Sequence, residues 1–486
     1  MILLLWAGWR RESESHQRAV GVGSLVLTGL VAAAVVAYLM ADVSAGRGAI
    51  AVDRFRWIAD LVFLLGTGFT VALSMDYNRR QGITSPETHV LVLFATSGMM
   101  LLAAARDLMI VFLGIEVMSI AVYALSAVNR RSVRGAEGAL KYFLLGAFST
   151  AFLLYGIALV YGATGATELL VIGERISEFG LSGSPILLAG IALLLVGFAF
   201  KVAAAPFHMW APDVYEGAPT PITAYMAASV KAAAFAAFLR VWLEAFPLVA
   251  EHWHTAVVAL AVVTMIGGNV IALSQRNIKR LLAYSSIAHA GYVLIAVAVG
   301  SRLGAAAFLF YLTAYTLATM GAFGVVVALG NEGESNLHVD DYSGLWTTRP
   351  WLAAAMAIFM LALLGFPVFG GIGFFAKWYL LEATLAAPNA EALLAITLVL
   401  TSVVSAGYYL YVVMVMFMRP HRDGAFAGPR AGGLTKLVVG AAALLILAFG
   451  VYPEPLVRLT RRATAAVIGQ QVPSARLPEP SAVPLR

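Results

Sequence analysis

The feature that most constrains this chain is the recurrence of long apolar runs. Stretches of about 20 apolar residues, each matched to a hydrocarbon core of roughly 30 Å, return thirteen times along the sequence. They fall at 19–41, 57–75, 88–105, 107–128, 138–162, 185–205, 222–246, 253–274, 281–299, 303–329, 351–387, 391–418 and 434–452. Of the 486 residues, 61% are hydrophobic and only 12% are charged, against roughly 25% charged in a soluble domain. So few charges could not cover a water-soluble surface of this size, and the chain reads as an all-α polytopic membrane protein. The net charge of +6 does not indicate nucleic acid, because the basic residues sit in short clusters between apolar runs, where they act as topology signals. The absence of cysteine excludes disulfides, thiolate metal sites, cysteine-ligated iron–sulfur clusters and cysteine nucleophiles. No cleavable signal or transit peptide is expected in a chain of this kind.

Residues 1–9 are apolar but too short to span alone, and are expected to form half of a first helix. Counting it gives about fourteen transmembrane helices. Loops after odd-numbered helices hold sixteen Arg and Lys residues, among them Arg79, Arg80, Arg130, Arg131, Arg134, Arg276, Lys279, Arg280, Arg349 and Arg419; loops after even-numbered helices hold seven, Arg47, Arg54, Arg56, Arg106, Arg175, Arg240 and Arg302. The bias places the odd loops in the cytoplasm and both termini outside. Residues 470–486, rich in proline, are expected to be a disordered tail.

Arginine and lysine are distributed unequally. There are 26 arginines, mostly in loops or at helix ends, and six lysines, of which Lys201, Lys231 and Lys377 fall within apolar spans and Lys141 near the start of one. Arginine stays charged, whereas a buried lysine can give up its proton. Placing the exchangeable cation inside and the permanent one outside points to proton handling; the competing reading is snorkelling or static ion pairing, which weighs most for Lys141. Glu116 lies mid-span, and a lone carboxylate there must be protonated, paired or hydrated; a carboxylate that merely locks two helices is the alternative.

Two of the spans are broken, and each break carries a lysine. Phe200-Lys201 leads into Pro206, His208, Pro212, Pro219 and Pro221, and Gly365, Pro367, Gly370, Gly371 and Gly373 precede Lys377. Breaks free backbone groups that need partners at membrane depth, and a pair of them in the two halves of a chain points to an inverted repeat with its ion path at the breaks. His208 and His289 are titratable groups near these regions, His208 being equally suited to satisfying freed backbone. The run Tyr311, Thr313, Tyr315, Thr316 and Thr319 could hold water or act as interhelical glue. No nucleotide-binding loop, metal cluster or hydrolytic triad is present in the sequence.

These motifs resemble the antiporter-like membrane subunits of proton-pumping NADH:quinone oxidoreductase (respiratory complex I), over roughly residues 57–455. The carrying stretches are Gly98 to Asp107, Ala139-Leu-Lys141-Tyr-Phe-Leu-Leu-Gly146-Ala-Phe-Ser149, Phe200 to Pro221 and Gly365 to Lys377. Within that family Lys377, where the M type usually carries Glu, and the Lys141 stretch favour the N type; the L type is longer, with a lateral C-terminal helix. The resemblance implies two inverted five-helix repeats, at 88–246 and 253–418, after N-terminal helices in 1–87 and before a last helix at 434–452, with helices 7 and 12 broken. It implies a proton path through Glu116, Lys201, Lys231 and Lys377, with Glu116 paired to Lys201 and His289 assisting Lys231. It also implies a bacterial inner membrane location, neighbouring subunits M, K and J, and no redox cofactor in this chain, the FMN, iron–sulfur clusters, NADH and quinone being held by partners. The chain departs from the pattern in its short first helix and in an eleventh helix, 303–329, without His or Lys, where water and hydroxyls would have to bridge. A subunit of a multisubunit cation/proton antiporter, exchanging Na⁺ without electron flow, is the transport alternative, and a non-conducting membrane spacer the structural one.

Overall fold

The computed structural model describes residues 2–9, 13–44, 48–334, 336–387, 391–421 and 431–464; the tail expected at 470–486 lies outside the described residues. The architecture is a bundle of helices: α1 (Ile2–Trp9), α2 (Glu14–Met40), α3 (Arg54–Gln81), α4 (Glu87–Ala104), α5 (Leu108–Ser126), α6 (Val133–Thr164), α7 (Leu169–Glu178), α8 (Pro185–Lys201), α9 (Ala211–Gly217), α10 (Thr220–Ala245), α11 (Ala250–Ala272), α12 (Ile278–Val299), α13 (Arg302–Leu329), α14 (Pro350–Leu364), α15 (Gly371–Leu385), α16 (Ala392–Met418), α17 (Gly433–Val451) and α18 (Glu454–Thr464). Among the described residues eleven helices are long and apolar enough to cross a membrane, with α8 and α14 as shorter apolar helices. Each expected span meets one of these helices within a few residues, except that 185–205 runs into the first break after Lys201 and 351–387 is divided between α14 and α15. Two amphipathic helices, α7 and α18, escape a search for uninterrupted apolar runs.

Side-chain chemistry fixes the helix starts. Asp53, Asp107, Ser132, Asn277 and Ser301 each cap a first turn by accepting a backbone N–H two or three residues on. Burial then sorts the helices into two classes. The most apolar window of α10 is wholly buried, and those of α13 and α12 are 94% and 89% buried; those of α2 and α17 are only 28% buried. The sheathed trio is therefore the interior of the bundle, and the outer helices present Leu, Val and Phe outward, as lipid or a neighbouring subunit requires.

Both expected breaks are real. After α8 the chain leaves the helix at Val202, takes a left-handed turn at Ala203 (φ 57°) and re-forms helix only at Ala211. Part of the freed backbone is satisfied from outside: Ala205 N–H donates to Thr264 Oγ1 of α11 at 2.9 Å, and Trp210 Nε1 donates to the Phe200 carbonyl at 3.1 Å. The second break runs from Gly365 (φ 81°) to Gly370. Here the glycines are obligatory by contact: a Cβ on Gly373 would stand 1.8 Å from the Ala362 carbonyl oxygen, and one on Gly370 2.5 Å from the Leu361 carbonyl carbon. A third irregularity has no proline or glycine to announce it. The span expected as one straight helix over 222–246 contains a π-turn at Met226–Val230, ending immediately before Lys231; such turns are enriched at functional sites.

Gly373→Ala should destabilise the break between α14 and α15 by about 1–3 kcal/mol, the usual range for overpacking. The check is the thermal inactivation temperature of the membrane-embedded protein, which should fall for Gly373→Ala and stay constant for Gly433→Ala, whose Cβ would meet open space.

Candidate functional site

The three lysines expected in the membrane are all buried, and each stands at a helix irregularity: Lys201 ends α8, Lys231 follows the π-turn, and Lys377 lies in the second turn of α15. Lys201 Nζ donates to Ser119 Oγ at 2.9 Å and Tyr123 OH at 3.3 Å, both on α5. Lys231 Nζ donates to Ser286 of α12, at 2.5 Å to Oγ and 3.1 Å to the carbonyl. Lys377 Nζ donates to the Leu364 carbonyl at 2.8 Å and Ser402 Oγ at 3.0 Å, and lies 4.7 Å from the centroid of the Tyr292 ring. Leu364 is the last residue of α14, so the ammonium satisfies a carbonyl that the break itself set free. Every one of these partners is a neutral oxygen, and among the described residues none of the three lysines has a carboxylate within ion-pair distance.

The expected pairing of Glu116 with Lys201 is corrected on this point. Glu116, Ser119 and Tyr123 share one face of α5 at helical spacing, but the two residues nearer the end of α8 reach the ammonium first, and half-buried Glu116 stands a turn away. Its influence is through space, not through a hydrogen bond.

Between Lys201 and Lys231 aromatic side chains pack ring against ring. Lys201 faces Tyr123, whose ring meets Tyr142 at 4.7 Å; Tyr142 stacks on Trp210 at 4.4 Å, and Trp210 meets Tyr215 at 6.1 Å. The Tyr215 ring lies 5.9 Å from Lys231 Nζ. From there α12 carries the series, because Ser286, His289 and Tyr292 recur on one face at helical spacing. His289 Nδ1 hydrogen-bonds Tyr311 OH at 2.6 Å and Nε2 hydrogen-bonds Tyr409 OH at 3.1 Å. Two cavities of about 10 Å³ each, near the room one water needs, flank His289; one touches Lys231 and the other Lys377. The polar run on α13 is divided in role: Tyr311 contacts His289, Thr313 bonds back to the Leu309 carbonyl, and Thr316 and Thr319 hydroxyls are buried without a protein hydrogen bond.

The remaining sequence candidates lie off this line. Lys141 is 44% exposed and bridges Glu137 and Asp213, both at 2.8 Å, so it is an interfacial ion-pair residue. His208 is half-buried on the first break, and Thr264 and Trp210, not its imidazole, satisfy the freed backbone. Arg240, Arg106 and Lys279, counted from sequence as loop charges, are buried. Arg240 sits inside α10 with Nη1 2.9 Å from both Asp53 and Glu244. Lys279 donates to Glu334 Oε2 at 2.9 Å and to the Ala218 carbonyl at 2.7 Å. Glu334 also accepts from Tyr77 OH at 2.6 Å and from the Thr220 hydroxyl at 2.7 Å, at the floor of a cavity of about 440 Å³ lined in part by Arg80, Arg131 and Pro219.

Breaks aligned with buried, carboxylate-free lysines define an antiporter-like membrane subunit. The chain matches the family model described as NADH:quinone oxidoreductase/Mrp antiporter, transmembrane, over residues 105–416, and it belongs to that family. NADH-quinone oxidoreductase subunit N of Gemmatimonas aurantiaca is 50% identical over 487 residues, covering 98% of this chain and 93% of that protein. The subunit N of Trichlorobacter lovleyi is 46% identical over 87% of this chain and 86% of its own length. Among solved structures, a chain of respiratory complex I from Thermus thermophilus matches with 38% identity and a TM-score of 0.76, over 92% of this chain and 95% of that one. A chain of the Mrp complex from Dietzia shares the fold at 22% identity, with a TM-score of 0.83 over 96% of both chains.

The Glu334 site yields a test at the edge of the membrane. Burial pushes this carboxyl up, but the Lys279 ammonium and the hydrogen bonds from Tyr77 and Thr220 outweigh it and hold it below the ordinary carboxylate range. A depressed carboxyl contributes stability that is present above its unfolded value of about 4.3 and is lost as pH falls through the folded value. Thermal unfolding of the wild type should therefore show a loss of stability on acidification from neutral pH that is smaller in Glu334→Gln, and the two proteins should differ most near neutrality.

Proposed function

We propose that this chain is subunit N of a bacterial NADH:quinone oxidoreductase. In this reading it is a multi-pass inner-membrane subunit that moves protons from the cytoplasm outward, driven by quinone reduction in its partners. The observation that carries the proton assignment is the set of ligands around Lys201, Lys231 and Lys377. A static structural lysine at membrane depth would be held by a carboxylate, because an uncompensated buried charge is costly. Three lysines bonded only to hydroxyl and carbonyl oxygens can be accommodated as ammonium when a proton is present and as amine when it has left. A spacer without conduction would gain stability by replacing them with apolar residues.

In this mechanism Lys201 loads near the first break, with Glu116, a turn away on α5, modulating its proton affinity. Tyr215 and the α12 face with Ser286 and His289 lead from Lys201 past Lys231, and Lys377 discharges near the second break. Hydroxyls and single waters bridge where α13 offers neither His nor Lys. Residues 88–246 and 253–418 are the two five-helix repeats, each containing one break, and subunits M, K and J are the membrane neighbours. The FMN, iron–sulfur clusters and the NADH and quinone sites belong to partner subunits; among the described residues no cluster of His, Asp and Glu could hold a metal ion.

Lys201→Ala should reduce NADH-driven proton uptake by inverted vesicles to near background while the complex stays assembled; undiminished uptake would sink the carrier assignment. Lys377 separates proton transfer from electrostatics. Arginine keeps the charge but cannot release a proton, so Lys377→Arg should lose uptake about as completely as Lys377→Ala. Full rescue by arginine would limit Lys377 to setting the local field.

A further inference from the structure

One buried acid is used by none of these steps. Asp60 of α3 is fully buried, and neither carboxylate oxygen accepts a hydrogen bond. Its nearest cation is Arg56 of the same helix, whose Nε lies 3.5 Å away without hydrogen-bonding to it or to any other group; Nη1 of that guanidinium donates to the Ala51 carbonyl at 2.9 Å, and the group lies 4.5 Å from the Trp57 ring centroid. A carboxylate that locks helices together accepts donors from them, and Asp60 accepts none. The charged groups facing it are Arg56, Asp53 and Arg240; Arg106 joins Asp53 at 3.5 Å, and Glu244 joins Arg240 at 2.9 Å and Arg106 at 3.4 Å.

The position of Asp60 follows from how α3 lies against α10. Gly66 touches the π-turn, since a Cβ there would stand 1.9 Å from Ser229 Oγ. Towards the other end, Asp53 holds Arg240 at 2.9 Å. The two helices thus run antiparallel, and Asp60 stands between the level of Lys231 and the Asp53–Arg240 cluster at the outer end. Inward of it the same region of α3 carries Thr67, whose hydroxyl is 2.7 Å from Thr96, itself 2.8 Å from Tyr225 OH. The buried hydroxyl of Ser229 makes no protein hydrogen bond.

We propose that Asp60 is a proton-binding site on an outward branch that leaves the central line at Lys231 and ends at the Asp53–Arg240 cluster. The inference rests on the proton-translocating reading above. The Lys231 ammonium becomes an amine as its proton leaves outward along the contact between α10 and α3; the Asp60 carboxylate becomes the acid and then returns to carboxylate as the proton goes to water at the outer end. With Asp60 ionised, Arg56, Arg106 and Arg240 face Asp53, Asp60 and Glu244, three charges of each sign. Loading Asp60 leaves one positive charge in excess, which favours release.

The test uses the assembled complex carrying Asp60→Asn or Asp60→Glu. Reduced-minus-oxidised infrared difference spectra should contain a carboxylic-acid carbonyl band that is lost in Asp60→Asn and shifted in Asp60→Glu. In inverted vesicles Asp60→Asn should oxidise NADH with a lowered proton-to-electron ratio, and Asp60→Glu should restore part of it. An unshifted carbonyl region in both variants, or a wild-type ratio in Asp60→Asn, overturns the proposal. If Asp60→Asn fails to assemble, the band position in Asp60→Glu decides alone. Lys377→Ala in the same vesicles keeps the two readings apart: a lowered ratio there with a wild-type ratio in Asp60→Asn removes only the Asp60 branch, whereas wild-type ratios in both remove the translocation reading itself.

Discussion

Lys377 and the Leu364 carbonyl depend on each other. A helix that stops at membrane depth leaves carbonyls without donors, and an ammonium at the same depth lacks the water that stabilises its charge. The 2.8 Å contact between them meets both needs at once without a counterion. The arrangement recurs with a different source of oxygen: at Lys201 a serine and a tyrosine of α5 supply it, and at Lys231 one serine supplies both hydroxyl and carbonyl. The breaks, the burial of α10, α12 and α13, and the spacing of hydroxyls along α12 all serve to keep an uncountered lysine solvated by protein.

The parts of this design visible in sequence are those written in backbone chemistry. Proline at 206, 212, 219 and 221, and glycine at 365, 370, 371 and 373, have few roles inside apolar runs, so both breaks and their lysines could be located from the chain alone. The π-turn before Lys231 could not. Its sequence, Met226-Ala-Ala-Ser-Val230, is good helix, and the extra residue per turn is set by packing against Gly66 and the neighbouring helices. Partnerships were equally hidden. Glu116 and Lys201 were an obvious pair by charge, yet Ser119 and Tyr123, one and two turns further along the same face of α5, hold the ammonium instead. Asp60 carries no backbone signal of its own, lying three residues into an apolar run that begins with Trp57.

Position along a span misled in a second way. Arg106, Arg240 and Lys279 stand towards the ends of apolar runs, where a basic residue normally marks a loop, but the fold buries all three. The structure brings loops with basic clusters together at one end: Lys279 meets Glu334, Arg80 donates to the Gly330 and Val327 carbonyls, and Arg419 meets Asp340. At the other end Asp53, Arg106, Arg240 and Glu244 converge. The two groups of loops separated by the charge bias are therefore also separate in space.

Arginine and lysine thus divide the electrostatic work by chemistry, not only by place. Arg240 is as buried as any residue of the chain, but its charge is permanent, and the fold meets it with Asp53 in a bidentate grip and with Glu244. Had the three midline lysines been built in the same way, each would be fixed as an ammonium by its carboxylate, and a proton could leave only against that attraction. Holding them with neutral oxygens lowers the cost of the amine without forbidding the ammonium. If the middle lysines exchange protons as proposed, a chain that keeps a fixed charge at one end and an exchangeable one in the middle has little choice but to use different cations for the two, and to give carboxylates to only one of them.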